Sequence, residues 1–203
     1  MMNKFIAIVG SNSQKSTNRE LLKYMKRHFQ DYAEIELVEI KDLPIFKKSA
    51  DKYVPQLAKD IAKKIEDADG VIIATPEYDH SVTAVLSSAL AWLSYGIHPF
   101  VDKPVMITGA SYGSLGSSRA QAQLRQILDS PELKARIMPS SEFLLAHSLQ
   151  AFDDEGNLKD KDVVKELDGL FQDFLQFVNI SKQLNNAEDA TKQKAATFSW
   201  DKD

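Results

Sequence analysis

The sequence predicts an α/β domain: a doubly wound, five-stranded parallel sheet with helices on both faces. Three observations carry that reading. Short continuous apolar runs alternate five times with segments whose apolar residues recur at helical spacing. The runs lack the in–out alternation of a half-exposed strand, so they suit strands buried on both faces, as parallel strands are. The 203 residues, 43% hydrophobic and 27% charged, make one globular unit with enough chain for a sizeable core.

In chain order, Phe5-Ile-Ala-Ile-Val9 is the first strand, ended by Gly10. After a polar stretch, Leu21, Leu22, Met25 and Phe29 mark a helix. Ile35–Ile40 is the second strand, and Lys41–Val54, with Asp42-Leu-Pro44, is a long loop. Leu57, Ile61, Ala62 and Ile65 mark the second helix. Val71–Thr75 is the third strand, stopped by Pro76. Val82–Tyr95 is a strongly apolar third helix. Pro104–Thr108 is the fourth strand, and Ala120, Leu124, Ile127 and Leu128 mark the fourth helix. Phe143–Ala146 is the fifth strand and Val163–Val178 the last helix. The domain is expected to span 1–181. Residues 182–203 are polar and aperiodic and are expected to form a tail.

Composition narrows the chemistry. With 25 basic and 29 acidic residues the formal charge is −4, which argues against a nucleic-acid partner needing a basic face. The absence of Cys excludes thiolate metal sites and a Cys nucleophile. His28, His80, His98 and His147 are scattered without metal-ligand spacing, so no metal is expected. Apolar runs such as Phe5–Val9 fall far short of the roughly 20 residues of a membrane span. The apolar stretch after Met1-Met2-Asn3-Lys4 is too short for a signal peptide. A cytoplasmic protein is expected.

In a doubly wound sheet, ligands sit beyond the carboxyl ends of the strands. Three loops there are unusual. Gly10-Ser-Asn-Ser-Gln-Lys-Ser16-Thr17-Asn18 offers hydroxyls and backbone N–H groups at a helix start. That suits a phosphate monoester, or Ser16 or Thr17 simply caps the helix. Neither GxGxxG nor GxxxxGK[ST] is present. Thr75-Pro-Glu-Tyr-Asp-His-Ser81 places Tyr78 and His80 where they could flank a flat ring, or it is a polar turn with Asp79 or Ser81 capping the third helix. Gly109-Ala-Ser111-Tyr-Gly113…Gly116…Arg119 lets backbone approach a ligand. It also matches the GxSxG nucleophile elbow, with Asp129 or Glu142 and then His147 downstream. Against a hydrolase, an elbow runs straight into its helix, whereas Gly113–Gly116 intervene here, and no HGGG-type segment appears.

In that order, each behind a buried strand, Gly10-Ser11…Ser16-x-Asn18, Thr75–Ser81 and Gly109–Gly113…Gly116…Arg119-Ala-Gln121 resemble the three flavin loops of the NAD(P)H-dependent FMN reductases. These flavodoxin-like proteins include azoreductases, quinone reductases and chromate reductases. Asp42-Leu-Pro44 and Phe152-Asp-Asp-Glu-Gly156 extend the resemblance over roughly residues 4 to 178. It implies FMN, with Ser11, Ser16, Thr17 and Asn18 around the phosphate. Pro76, Glu77, Tyr78 and Asp79 would run along the ring and ribityl chain, and Ser111, Tyr112 and Gly113 at the pyrimidine side. Five positions depart from the family pattern. Ser13 replaces Arg, so phosphate neutralisation is either weaker or moved to Lys15; Asp79 replaces Asn; Thr83-Ala84 replaces Pro-Gly; and Ser117 replaces a second Gly.

The resemblance implies an oxidoreductase passing electrons from NADH or NADPH through FMN to a small acceptor such as a quinone, azo compound or free flavin. No catalytic side chain is expected, because the cofactor carries the chemistry. The alternatives are a flavodoxin-type electron carrier and the GxSxG hydrolase. The apolar circumference of the third helix predicts a homodimer or homotetramer, unless the 41–54 loop covers it. Asp79 either faces the flavin, lowering its potential by electrostatic repulsion, or caps the third helix.

Overall fold

The computed structural model describes residues 2–49, 51, 53–139 and 142–184. The elements run β1 (Asn3–Val9), α1 (Thr17–His28), β2 (Ala33–Glu39), α2 (Gln56–Glu66), β3 (Gly70–Ala74), α3 (Ala84–Trp92), β4 (Pro104–Ala110), α4 (Ser118–Leu128), β5 (Arg136–Ile137), β6 (Phe143–Leu145) and α5 (Lys161–Gln183). All strand pairings are parallel, in the order β2-β1-β3-β4-β5 with β6 also on β4. This is the flavodoxin-like α/β arrangement.

Side-chain alternation along each strand builds two cores. Ile6, Ile8, Val71, Ile73, Val105 and Ile107 point to the face of α2, α3 and α4. Phe5, Ala7, Val9, Ile72, Ala74 and Met106 point to the face of α1 and α5. The central strands are apolar at almost every position because both faces are covered.

Several expectations are corrected. The fifth strand position is filled by two short strands on one flank of β4. Arg136–Ile137 pairs with Pro104–Val105, and Phe143–Leu145 pairs with Thr108–Ala110. A two-residue strand has no periodicity to read. Leu57 is partly exposed and Ala58 is buried in its place. Helix α5 continues to Gln183, past the expected boundary at 181. The rest of the expected tail, from 185 onward, lies outside the described residues.

The apolar circumference of α3 is closed by the chain itself. Phe46 packs edge-on against Trp92 and Tyr95. Trp92 Nε1 donates to Pro44 O at 2.7 Å and Tyr95 Oη to Ser49 O at 2.9 Å. The 41–54 loop is therefore the cover, and this helix gives no reason for a second copy. Among the described residues, no helix is long and apolar enough to cross a membrane.

Candidate cofactor site

The strand order reverses between β1 and β3, since β1 connects outward to β2 while β3 connects onward to β4. Such a switch point opens a crevice beyond the carboxyl ends of the strands. Gly10 N donates to Ala74 O at 2.8 Å, and a Cβ at Gly10 would lie 2.6 Å from that oxygen. Only glycine lets the two strand ends meet there.

A cavity of about 460 Å³ fills the crevice, within the range of about 300–1,000 Å³ common for small-molecule sites. The first loop contributes Ser11, Ser13, Lys15, Ser16, Thr17 and Asn18. The second contributes Pro76, Glu77, Tyr78 and His80. The third contributes Ser111, Tyr112, Gly113, Leu115 and Arg119. Of the residues the resemblance singled out, only Asp79 lies outside the lining.

The first loop enters α1 through Ser16, whose Oγ accepts from Arg19 N at 3.2 Å. Ser16 is thus a helix cap that also lines the cavity. The N–H groups of Thr17 and Asn18 belong to the first turn, which no intrahelical carbonyl can reach. They and the helix dipole favour an anion. Lys15 is exposed and has no ion pair among the described residues.

Asn18 has a different part from the one the resemblance implies. Its side chain is buried and doubly bonded to one backbone unit: Nδ2 donates to Ala110 O at 2.8 Å and Oδ1 accepts from Ala110 N at 2.9 Å. It staples the start of α1 to the end of β4. Thr17 Oγ1 pairs with the buried Ser148 Oγ at 2.8 Å, tying the same turn to the segment after β6. Arg19, which the sequence reading passed over, donates to both carboxylate oxygens of Glu39 at 2.5 and 2.9 Å, and to Ser13 O at 2.8 Å. The hydrogen bond to Glu39 holds its guanidinium above the ordinary arginine value, against the opposing effect of burial.

In the second loop, Tyr78 and Ser81 exchange both backbone hydrogen bonds, at 3.1 and 2.9 Å. Asp79 and His80 between them have φ of 49° and 62°. Left-handed backbone at both central residues is that of a type I′ hairpin turn. This explains the family's Asn at position 79, since Asn tolerates that region well. Asp79 sits exposed at the tip and neither faces the cavity nor caps α3. Thr83 is the cap, accepting from Leu86 N at 3.2 Å and donating to Gly10 O at 2.7 Å.

Glu77 joins the second loop to the third. Its carboxylate accepts from Arg119 N at 3.0 Å and Ala120 N at 3.3 Å, and pairs with Arg119 Nη1 at 3.2 Å. It caps α4 from outside, because Ser117 at the helix start has φ of 72° and makes no side-chain cap. The family's glycine at that position fits this backbone. The turn is crowded: a Cβ on Gly109 would lie 1.8 Å from Ser117 Oγ and 2.6 Å from Thr75 O.

The hydrolase reading fails on geometry. Among the described residues Ser111 Oγ donates only to Gly113 O, at 3.5 Å, and makes no bond with His147. Asp129 is the C-cap of α4, whose opposite end faces the loop.

The fold and crevice define a flavodoxin-like mononucleotide site at the switch point of a doubly wound sheet. A family model of NADPH-dependent FMN reductase matches residues 3–150. The chain is 55% identical over 196 residues to the NADH:(hydroxy)cinnamate reductase subunit CrdA of Vibrio ruber, covering 97% of this chain and 96% of that one. It is 42% identical over 180 residues to the NADH-dependent flavin reductase subunit 2 of Lactobacillus johnsonii, covering 86% and 97%. Its structure matches FerB, a flavoenzyme NAD(P)H:(acceptor) oxidoreductase from Paracoccus denitrificans, with a TM-score of 0.78 and 26% identity over 89% of this chain and 99% of that one. The chain belongs to the NADPH-dependent FMN reductase family. It is an oxidoreductase of the flavin class, which sets aside the electron-carrier alternative.

The residues fit FMN. First-turn amides, hydroxyls and Lys15 gather where a phosphate monoester would lie. Tyr78 on the loop after β3, and Tyr112 and Leu115 on the loop after β4, all about half exposed, offer apolar surface one and two strand positions from β1, or roughly 5 and 10 Å across the sheet. Bound FMN supplies hydride and electron transfer; the chain supplies the geometry.

Proposed function

We propose that this chain binds FMN non-covalently in the switch-point cavity, takes reducing equivalents from NADH, and delivers them to a small conjugated acceptor. One observation carries the reading: the unpaired first-turn amides of α1, the hydroxyls of Ser11 and Ser16, and Lys15 converge on one end of a cavity whose other side is aromatic. Ser11, Ser16, Thr17, Lys15 and the backbone of Asn18 are assigned to the phosphate. Pro76, Glu77, Tyr78, Ser111, Tyr112 and Gly113 are assigned to the ring and ribityl chain. NADH is preferred to NADPH because both relatives just described carry NADH in their names. Quinones, free flavin and hydroxycinnamates share the flat conjugated character the site favours.

Both relatives are also named as subunits, so we assign the chain to an oligomeric assembly, a homodimer or homotetramer, in the cytoplasm. The test is binding followed by rapid kinetics. Apoprotein titrated with FMN and riboflavin should favour FMN by at least about tenfold, one charge-assisted hydrogen bond's worth. The FMN form should be reduced rapidly by NADH in a stopped-flow experiment. Equal affinity for the two flavins would sink the site assignment, and slow reduction by both nicotinamides would sink the catalytic one.

A further inference from the structure

Arg19 does not line the cavity, yet it is the most heavily bonded side chain behind it. One edge of its guanidinium is engaged by both oxygens of Glu39. The remaining nitrogen, Nη1, donates to Ser13 O at 2.8 Å and to Gln14 O at 3.3 Å. The side chain is 14% exposed. A cation in this position does not neutralise a ligand directly, because Glu39 already balances it.

Its effect on the loop follows from peptide geometry. In a planar trans peptide, the carbonyl of one residue and the N–H of the next point in opposite directions. Holding the carbonyls of Ser13 and Gln14 toward Arg19 turns the N–H groups of Gln14 and Lys15 away from it. Ser13, Lys15 and Ser16, which flank those N–H groups in the loop, line the cavity. Neither N–H has a protein acceptor among the described residues. Two amides are thereby added to those at the start of α1, forming a concave set of donors of the kind that binds anions.

We propose that Arg19, braced by Glu39, is a positioning residue that selects a 5′-phosphorylated flavin over its dephosphorylated form by orienting the Gln14 and Lys15 amides. It offers a physical account of how Ser13 can stand where the family has Arg: the loop relies on oriented backbone dipoles with the guanidinium behind them. The inference rests on the FMN assignment made above.

The test is fluorescence titration of full-length apoprotein with FMN and with riboflavin. The variants are Arg19→Gln, Arg19→Lys and Glu39→Gln, each checked for a cooperative thermal transition. Arg19→Gln should weaken FMN about 10- to 100-fold while riboflavin stays within about twofold. Arg19→Lys, with one nitrogen in place of the fork, should recover only part of the preference. Glu39→Gln keeps the arginine but loosens its brace, and should weaken FMN about threefold with riboflavin unmoved. Equal weakening of both flavins would make Arg19 a purely structural residue and overturn the proposal, as would unchanged FMN affinity in Arg19→Gln. If Arg19→Gln does not fold, the Glu39→Gln ratio decides in the same way. A wild-type protein that does not prefer FMN would overturn the underlying site assignment instead.

Discussion

At the amino-terminal ends of the strands, charged side chains pair with one another as well as with backbone. Lys182 Nζ lies 2.7 Å from Asp69 Oδ1, and Arg136 Nη2 lies 3.1 Å from Asp102 Oδ1. At the carboxyl ends, polar side chains grip backbone: Asn18 holds Ala110, Glu77 holds the first turn of α4, Thr83 holds Gly10 O, and Arg19 holds Ser13 O. The first pattern ties off charge. The second fixes loops in space while leaving the Thr17 and Asn18 amides of α1 without internal acceptors. A cofactor site needs dipoles that are rigid and still unpaired, which ion pairing alone does not provide.

This contrast can be broken most forcefully at Gly109. A methyl group there meets backbone and a buried hydroxyl, so Gly109→Ala is expected to cost at least about 4 kcal/mol, measured by urea denaturation. A loss below about 1 kcal/mol would mean the β4–α4 junction yields easily. Next is Asn18→Ala, which strands a buried N–H and a buried carbonyl at Ala110. It should cost about 2–4 kcal/mol and weaken FMN and riboflavin together, unlike Arg19→Gln.

At the opposite end, effects should be smaller and should depend on pH. Burial alone would raise the Asp69 carboxyl, but hydrogen bonds from Lys182 and the Lys4 N–H outweigh it and hold the group below the ordinary range. Such a group contributes stability present above its unfolded value, about 3.9. That stability is lost as pH falls through the lower folded value. Asp69→Asn should therefore remove under about 1 kcal/mol at neutral pH, and its deficit should vanish toward pH 2. A deficit independent of pH would assign the effect to packing. Smallest of all, Asp79→Asn should stabilise the hairpin turn by about 0.5 kcal/mol or less and leave the flavin midpoint unchanged. A midpoint rise of tens of millivolts would bring the carboxylate to the flavin after all.

The alternating fold was legible because burial on both faces writes continuous apolar runs into the central strands. The three loops were legible because they follow those strands. The split fifth strand was not, since Arg136–Ile137 is too short to show a period. For Asp79, both readings assumed the side chain mattered, whereas its positive φ explains the residue type better. Arg19 carried a faint signal: it follows Asn18 at a loop–helix junction, and Glu39 ends the strand that lies beside β1 in this sheet order.

The sequence by itself determined the alternation of strands and helices, the two-sided burial of the sheet, and which three loops share an edge. Those properties depend on local periodicity and on the side-chain geometry of helices and strands, which operate within a few residues. Only the tertiary structure decided that Glu77 caps α4 across 42 positions, that Asn18 holds Ala110 across 92, and that the 41–54 loop rather than a second copy covers α3. A polar side chain names its capacity to bond but not its partner. The partner is chosen when packing brings distant backbone within about 3 Å and removes the water that would otherwise compete.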